Sequence, residues 1–139
     1  MIKYQAKIYK DSDAYSVEFP DLPGCFSSGE TLEEAKAMAT EALTLYLEEA
    51  RDPKWDIPKA KSRKSRGFYW IAPSPEVAIP LMLRKVRQKL SLSQNQAVKK
   101  LGITVQQLQK LETPGKSNST IKTLSKISQA FDIEIDLVA

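Results

Sequence analysis

The 139-residue chain contains no histidine and a single cysteine, Cys25. Without imidazole, most general acid–base schemes lose their usual participant and zinc loses its usual nitrogen ligand. One cysteine cannot form an internal disulfide, which suits a reducing compartment. No stretch reaches the roughly 18 unbroken apolar residues of a membrane span. The opening MIKYQAKIYKD alternates instead of presenting the apolar block of a signal peptide. These absences point to a cytoplasmic protein with no membrane partner, no metal site and no cofactor. The first-half carboxylates Glu18, Asp21, Glu30 and Glu33 do not converge as a two-metal nuclease requires. Cys25 lacks a base to activate it and reads as a buried apolar residue. No catalytic residue is assigned, and the expectation is that the chain is not an enzyme.

Charge is present but unevenly placed. Residues 1–50 hold 4 Lys/Arg and 10 Asp/Glu, whereas residues 51–139 hold 17 and 7. An acidic half suits a basic protein partner, and a basic half suits phosphate backbones.

In the acidic half, Ile2, Tyr4, Ala6 and Ile8 alternate with Lys3, Gln5 and Lys7, the pattern of a half-buried strand. Lys10 to Asp13 is turn material. Tyr15, Val17 and Phe19 form the hairpin partner, ended by Pro20. Pro23 and Gly24 turn the chain into a short third strand from Cys25 to about Gly29. Thr31 and Glu34 form a capping box for a helix whose inward face is Leu32, Ala35, Ala39, Ala42, Leu43 and Tyr46, with Asp52-Pro53 as its stop. A basic connector, residues 53–66, leads to an aromatic strand, Phe68 to Ala72. This strand is placed in the same sheet and expected to be covered on both faces, by the helix and by a partner or neighbouring chain. The connector reads either as a solvated loop or as an arm that touches phosphates.

Ser74-Pro75 opens a helix in which Pro80 is expected to impose a kink or restart. Leu83, Val86 and Leu90 are its inward face, and Lys85, Arg87 and Lys89 its outer one. Next, SQNQAVKKLGITVQQLQKL (Ser93 to Leu111) reads as two short helices around a turn at Gly102. Ser93 with Gln96, and Thr104 with Gln107, are capping boxes. Ala97, Val98, Leu101, Ile103, Leu108 and Leu111 point inward. This is a helix-turn-helix, whose second helix enters the DNA major groove. Its early residues, Thr104, Val105, Gln106 and Gln107, with Gln109 and Lys110, are the candidate DNA contacts. Glutamine amides pair with adenine edges, and Val105 can meet a thymine methyl. Ser93 and Gln94 at the start of the first helix, and Lys116 and Asn118 in the following loop, are candidate phosphate contacts. Ser119 caps a last helix lined by Ile121, Leu124, Ile127 and Phe131. Ile133, Ile135 and Leu137 then alternate as a short final strand, which pairs either across a two-fold axis as a dimer contact or with its own chain.

The residues Tyr15 to Ala35, YSVEFPDLPGCFSSGETLEEA, resemble the signature of the first domain of HicB-type antitoxins. LSLSQNQAVKKLGITVQQLQKLE, followed by STIKTLSKISQAFDIEIDL, resembles the XRE-type helix-turn-helix that many members carry behind it, and the junction WIAPSPEVA is similar too. The resemblance spans nearly the whole chain. It departs from the helix-turn-helix pattern in the order of Ala97 and Val98, and at Asp132, where a glycine is common. It implies a partial RNase H-like first domain without nuclease activity. It further implies that this domain binds a HicA-like toxin, a small basic ribonuclease that cuts mRNA with a catalytic histidine. The second domain would bind double-stranded operator DNA and repress the operon, as a homodimer or higher homo-oligomer.

The expected architecture is therefore an α+β domain over residues 1–73, with three or four antiparallel strands and a helix. An all-α helix-turn-helix domain with a short terminal strand follows over residues 74–139. The rival reading is a solitary transcriptional repressor whose first domain senses a small ligand.

Overall fold

The computed structural model describes residues 2–52, 55–115 and 121–135, the Arg51 side chain excepted. Alternation in the first residues becomes the central strand of a sheet. Strand β1 (Tyr4–Asp11) pairs with β2 (Ala14–Glu18) on one side and β4 (Phe68–Ile71) on the other. Strand β3 (Phe26–Gly29) pairs with β2, giving an antiparallel sheet of order β3-β2-β1-β4. Lys10 and Asp11, expected in the turn, remain in β1. Asp11 pairs with Ala14, so the loop is Ser12-Asp13 alone, with Ser12 at φ 57°. Two-residue hairpin loops require such left-handed backbone to match the strand twist.

Helix α1 (Leu32–Leu47) covers one face of the sheet. The Thr31 hydroxyl accepts from the Glu34 N–H at 3.0 Å, as a capping residue should. The reciprocal half of the box is displaced: the Glu34 carboxylate accepts from the N–H of Glu30 at 3.1 Å, not from that of Thr31. Ala35, Ala39, Leu43 and Leu47 are buried against Tyr4, Ala6, Ile8, Val17 and Ile71. The alanines let helix and sheet approach closely, and Gly29 extends this. A Cβ on Gly29 would lie 2.4 Å from the Ala35 nitrogen. The helix gives way to a 3₁₀ turn, Glu48–Arg51, before the expected stop.

The basic connector is strapped to the sheet. The Tyr4 hydroxyl donates to the Pro58 carbonyl at 2.5 Å. The Gln5 amide is satisfied on both sides by one residue: it accepts from the Arg63 N–H at 2.6 Å and donates to the Arg63 carbonyl at 3.1 Å. Tyr4 and Gln5 are strand neighbours and point to opposite faces, so the connector crosses from one face to the other. The connector thus covers part of the face for which a partner or neighbouring chain is expected. The chain's own Arg63 lies over the Phe68 ring at 5.6 Å, while Trp70 remains 49% exposed.

Helix α2 (Pro75–Lys89) is one continuous helix. Pro80 neither ends nor restarts it. Proline lacks an N–H, so the carbonyl four residues earlier loses its helical donor. That carbonyl, of Glu76, instead accepts from the Gly115 N–H at 3.0 Å. The expected boundary at 73/74 falls just before this helix, and the helix serves both halves. Val77 and Leu81 complete the first core, and Leu83 belongs to the second with Ala97, Leu101, Leu108, Ile127 and Phe131. Leu90, expected inside, is 44% exposed. The Ser74 N–H donates to the Thr44 hydroxyl of α1 at 2.9 Å, fixing where α2 begins.

Helices α3 (Gln94–Leu101), α4 (Val105–Leu111) and α5 (Ile121–Phe131) build the second unit. Asp132 takes the left-handed conformation at φ 51°, where the helix-turn-helix pattern commonly has glycine. The following Ile133 N–H returns to the Ser128 carbonyl at 3.0 Å. No strand forms over Ile133 to Ile135. Both isoleucines pack on their own chain's second core, which leaves their apolar alternation satisfied without strand pairing. Leu137 lies outside the described residues. No helix among the described residues is long and apolar enough to cross a membrane.

Candidate nucleic-acid interface

Two short helices hold their angle through local chemistry. The Ser93 hydroxyl accepts from the Gln96 N–H at 3.1 Å, and the Gln96 amide oxygen accepts from the Ser93 N–H at 2.8 Å. Thr104 and Gln107 repeat the pattern at 3.1 and 2.9 Å. Each box satisfies two backbone donors that the first helical turn leaves without partners. Between them Gly102 stands at φ 66°, ψ 37°, the left-handed conformation that ends a helix at little steric cost to glycine. The Gly102 and Ile103 N–H groups both return to the Val98 carbonyl, at 2.8 and 3.2 Å. The turn is thus closed by backbone, and Ile103 drops into the second core.

Leu108 is buried beneath α4 and Leu111 packs against the same core. With these two inward, Thr104, Gln106, Gln107, Gln109 and Lys110 are exposed, whereas Val105 is half-buried. They do not share one role. The Thr104 hydroxyl and the Gln107 amide oxygen are engaged in capping. Gln109 donates from Nε2 to Gln94 Oε1 at 3.4 Å, a long bond that bridges α4 to the start of α3. Gln106 and Lys110 are one helical turn apart on the open side. Ser93 is a cap, and Gln94 is half-buried beside Gln109. Lys116, Asn118 and Ser119 lie outside the described residues.

Behind this surface is a polar cluster that spacing did not reveal. Arg87, read as an outer residue, is folded back: Nε and Nη2 bind the two carboxylate oxygens of Glu112 at 2.7 and 3.1 Å, and Nη1 donates to the Leu92 carbonyl at 3.1 Å. Glu112 is buried just past the end of α4, so α2 grips the C-terminal end of the candidate recognition helix. Arg84, also buried, donates from Nη2 to the carbonyls of Ala50 and Glu112. Burial lowers its affinity for the proton, and nearby Glu112 opposes that effect. The only hint in the sequence is a pair of arginines one turn apart on α2. Their partner is 25 residues beyond the second of them.

In the first unit, Asp21 accepts two bonds from the Arg63 guanidinium, at 2.7 and 3.1 Å, and one from the Lys61 N–H at 2.9 Å. The Arg63 hydrogen bonds hold its carboxyl below the usual range. Burial pushes the Cys25 thiol up to about 11, so it stays protonated near neutrality. No group of three or more His, Cys, Asp or Glu that could hold a metal occurs among the described residues.

A helix-covered antiparallel sheet ahead of a capped helix-turn-helix defines a two-part DNA-binding-type protein. Family models divide the chain the same way: residues 4–67 match the HicB-like antitoxin of bacterial toxin–antitoxin systems, and residues 83–138 match a helix-turn-helix. The chain carries a HicB-like antitoxin domain with a helix-turn-helix domain behind it.

Among similar proteins, "Antitoxin HicB 2" of Photorhabdus laumondii is 28% identical over 138 residues, 99% of this chain and 96% of that protein. A UPF0150 protein of Thermoplasma acidophilum is 41% identical over 59 residues, 42% of this chain and 86% of that protein. An uncharacterised 14.9 kDa protein of Haemophilus phage HP1 is 42% identical over 57 residues, 41% of this chain and 43% of that protein, so this chain spans less than half its length. A solved chain from a HicA3 and HicB3 toxin–antitoxin complex is 21% identical with a TM-score of 0.43, covering 53% of this chain and 100% of that chain.

Proposed function

We propose that the chain neutralises a HicA-like mRNA-cleaving ribonuclease through its first unit and represses its own operon by binding operator DNA through its second. One observation carries the reading: a single chain joins an antitoxin-type domain, acidic over residues 1–50, to a basic helix-turn-helix that leaves Gln106 and Lys110 in solvent. Neutralisation is steric and electrostatic, with the first unit, through its acidic residues 1–50, occupying the toxin's RNA-binding or catalytic surface. Repression follows when two copies set their α4 helices in successive major grooves. Gln106 reads a base edge, Lys110 a phosphate or base, and Gln94 with the α3 N-terminus a phosphate. Ser93, Thr104 and Gln107 act mainly by holding the helix ends, and Lys116 and Asn118 extend the phosphate contacts. The Photorhabdus relative's name supports the antitoxin part, because it aligns along almost the whole chain.

The test is co-expression with a neighbouring open reading frame that encodes a small basic protein containing histidine. Co-purification, with rescue of growth, is the expected outcome, together with a gel shift of the DNA upstream of the pair. Failure to co-purify or rescue sinks the antitoxin reading. A gel shift without co-purification is the result expected of a solitary repressor.

A further inference from the structure

Two of the most exposed large apolar side chains among the described residues share one concavity. Phe26 is 66% exposed and Leu45 is 61% exposed. Both line a groove of about 360 Å³ between the entry to β3 and the C-terminal half of α1. Cys25, Ala42 and Tyr46 also line it, with Glu49 at one end. Glu41 and Glu49 lie one turn on either side of Leu45, and both are exposed. The segments that build the groove, residues 11–35 and 37–50, contain no lysine or arginine. Lys36, between them, holds its ammonium over the Tyr69 ring at 4.7 Å. An apolar groove with exposed carboxylates along its helix side fits a protein that offers an apolar anchor flanked by Lys or Arg. Nucleic acid would be repelled from it.

We infer that this groove, centred on Phe26 and Leu45, is where the basic toxin docks. The inference rests on the antitoxin reading and deepens it by naming the surface. Leu45 and Phe26 supply the desolvated centre, and Glu41 and Glu49 supply the rim that steers a cationic partner. The sheet face turned away from α1, where Trp70 is exposed, carries Lys3 and Lys7 and is partly occupied by the connector through Arg63; Phe26 stands at the β3 edge of that face, where it also lines the groove.

The test is titration calorimetry of the full chain with the small basic protein encoded beside it, its catalytic histidine replaced so that it can be prepared. Leu45→Lys is expected to weaken binding roughly thirtyfold or more. Glu41→Lys with Glu49→Lys is expected to slow association and flatten its salt dependence. Trp70→Lys should bind as the parent does. Thermal midpoint and operator binding should be unchanged in all three. Parent-like binding by both groove variants overturns the groove, as does loss of binding confined to Trp70→Lys. Should Leu45→Lys fail to fold, the exposed double charge reversal decides. No binding by the parent chain overturns the antitoxin reading itself, and the groove with it.

Discussion

Arg84 in α2 reaches the carbonyl of Glu112 at 3.1 Å, and the same nitrogen holds the carbonyl of Ala50 at 2.7 Å. One buried guanidinium therefore joins the end of the first unit's helical segment to the end of the candidate recognition helix. Its Nη1 is buried without a hydrogen-bond partner among the described residues. The segment after the recognition helix is further tied to α2 by the Gly115 to Glu76 backbone bond.

Replacing Arg84 by alanine removes the donor from two buried carbonyls and opens space between the units. The expected loss is about 2–4 kcal/mol, since each unsatisfied buried group costs roughly 1–3 kcal/mol. Urea unfolding followed by tryptophan fluorescence and by circular dichroism should separate into two transitions. A single coincident transition of parent stability would show that the units do not depend on this contact.

Gly29 tolerates no side chain. A Cβ there meets the backbone of Glu34 and Ala35 at 2.4–2.8 Å, and a helix backbone cannot step aside as a flexible side chain can. Gly29→Ala should destabilise the first unit by about 1–3 kcal/mol, the range for overpacking. Thermal denaturation of the full chain checks this. An unchanged midpoint would mean that α1 can shift away from β3 without loss.

The Asp21–Arg63 pair makes stability depend on pH. Because the folded-state pKa of Asp21 is lowered, mainly by its Arg63 hydrogen bonds, the unfolded chain takes up the proton first as pH falls. This contribution is complete above the unfolded carboxylate pKa of about 4 and is lost as pH falls through the lower folded value. Asp21→Asn should lower the urea midpoint at pH 7, with the difference from the parent shrinking toward pH 3. The same variant should speed tryptic cleavage at Lys61 and Lys64 by releasing the connector. Identical cleavage rates would show that Tyr4 and Gln5 hold the strap without Asp21.

Gln106→Ala should weaken operator binding by about 1–3 kcal/mol and relax preference at one base position, the expected cost of losing a base contact. Lys110→Ala should weaken it more evenly across sequences. If Lys110 contacts a phosphate, the slope of log K against log salt should fall by about 1. Binding of the neighbouring basic protein should be unaffected by either change. A coupled loss of both activities would show that α4 also belongs to the protein interface.

Much of the first unit was legible because its determinants are local. The period-2 run at Ile2, Tyr4, Ala6 and Ile8 marks a strand by itself, and all four residues are buried as it requires. The capping boxes at Ser93 and Thr104 involve atoms three residues apart, and both form. Gly102 adopts the left-handed conformation that a tight helix end needs. The misreadings share another origin. Arg87 looked like an outer lysine-type residue because nothing within its own helix shows that Glu112 will be buried opposite it. Within one chain Ile133 and Ile135 pack on the second core without strand pairing, because alternation alone cannot say whether such a segment pairs or packs. Period alone puts Leu90 inside, although α2 ends there and Leu90 is exposed.

Composition and short-range spacing by themselves determined the division into an acidic and a basic half, the types of most elements, the helix-turn-helix and the lack of histidine chemistry. Each follows from side-chain type or from atoms within one helical turn or one hairpin. Only the tertiary structure decided what holds those parts together. Gln5 takes the backbone of Arg63 across 58 residues. The carbonyl freed by Pro80 is answered by Gly115, and Arg84 binds carbonyls 34 residues before it and 28 after it. It also brought Phe26 and Leu45 into one acidic-rimmed groove. Such pairings depend on which surfaces the packed helices and sheet bring within hydrogen-bonding or van der Waals distance, and no local pattern along the chain encodes that distance.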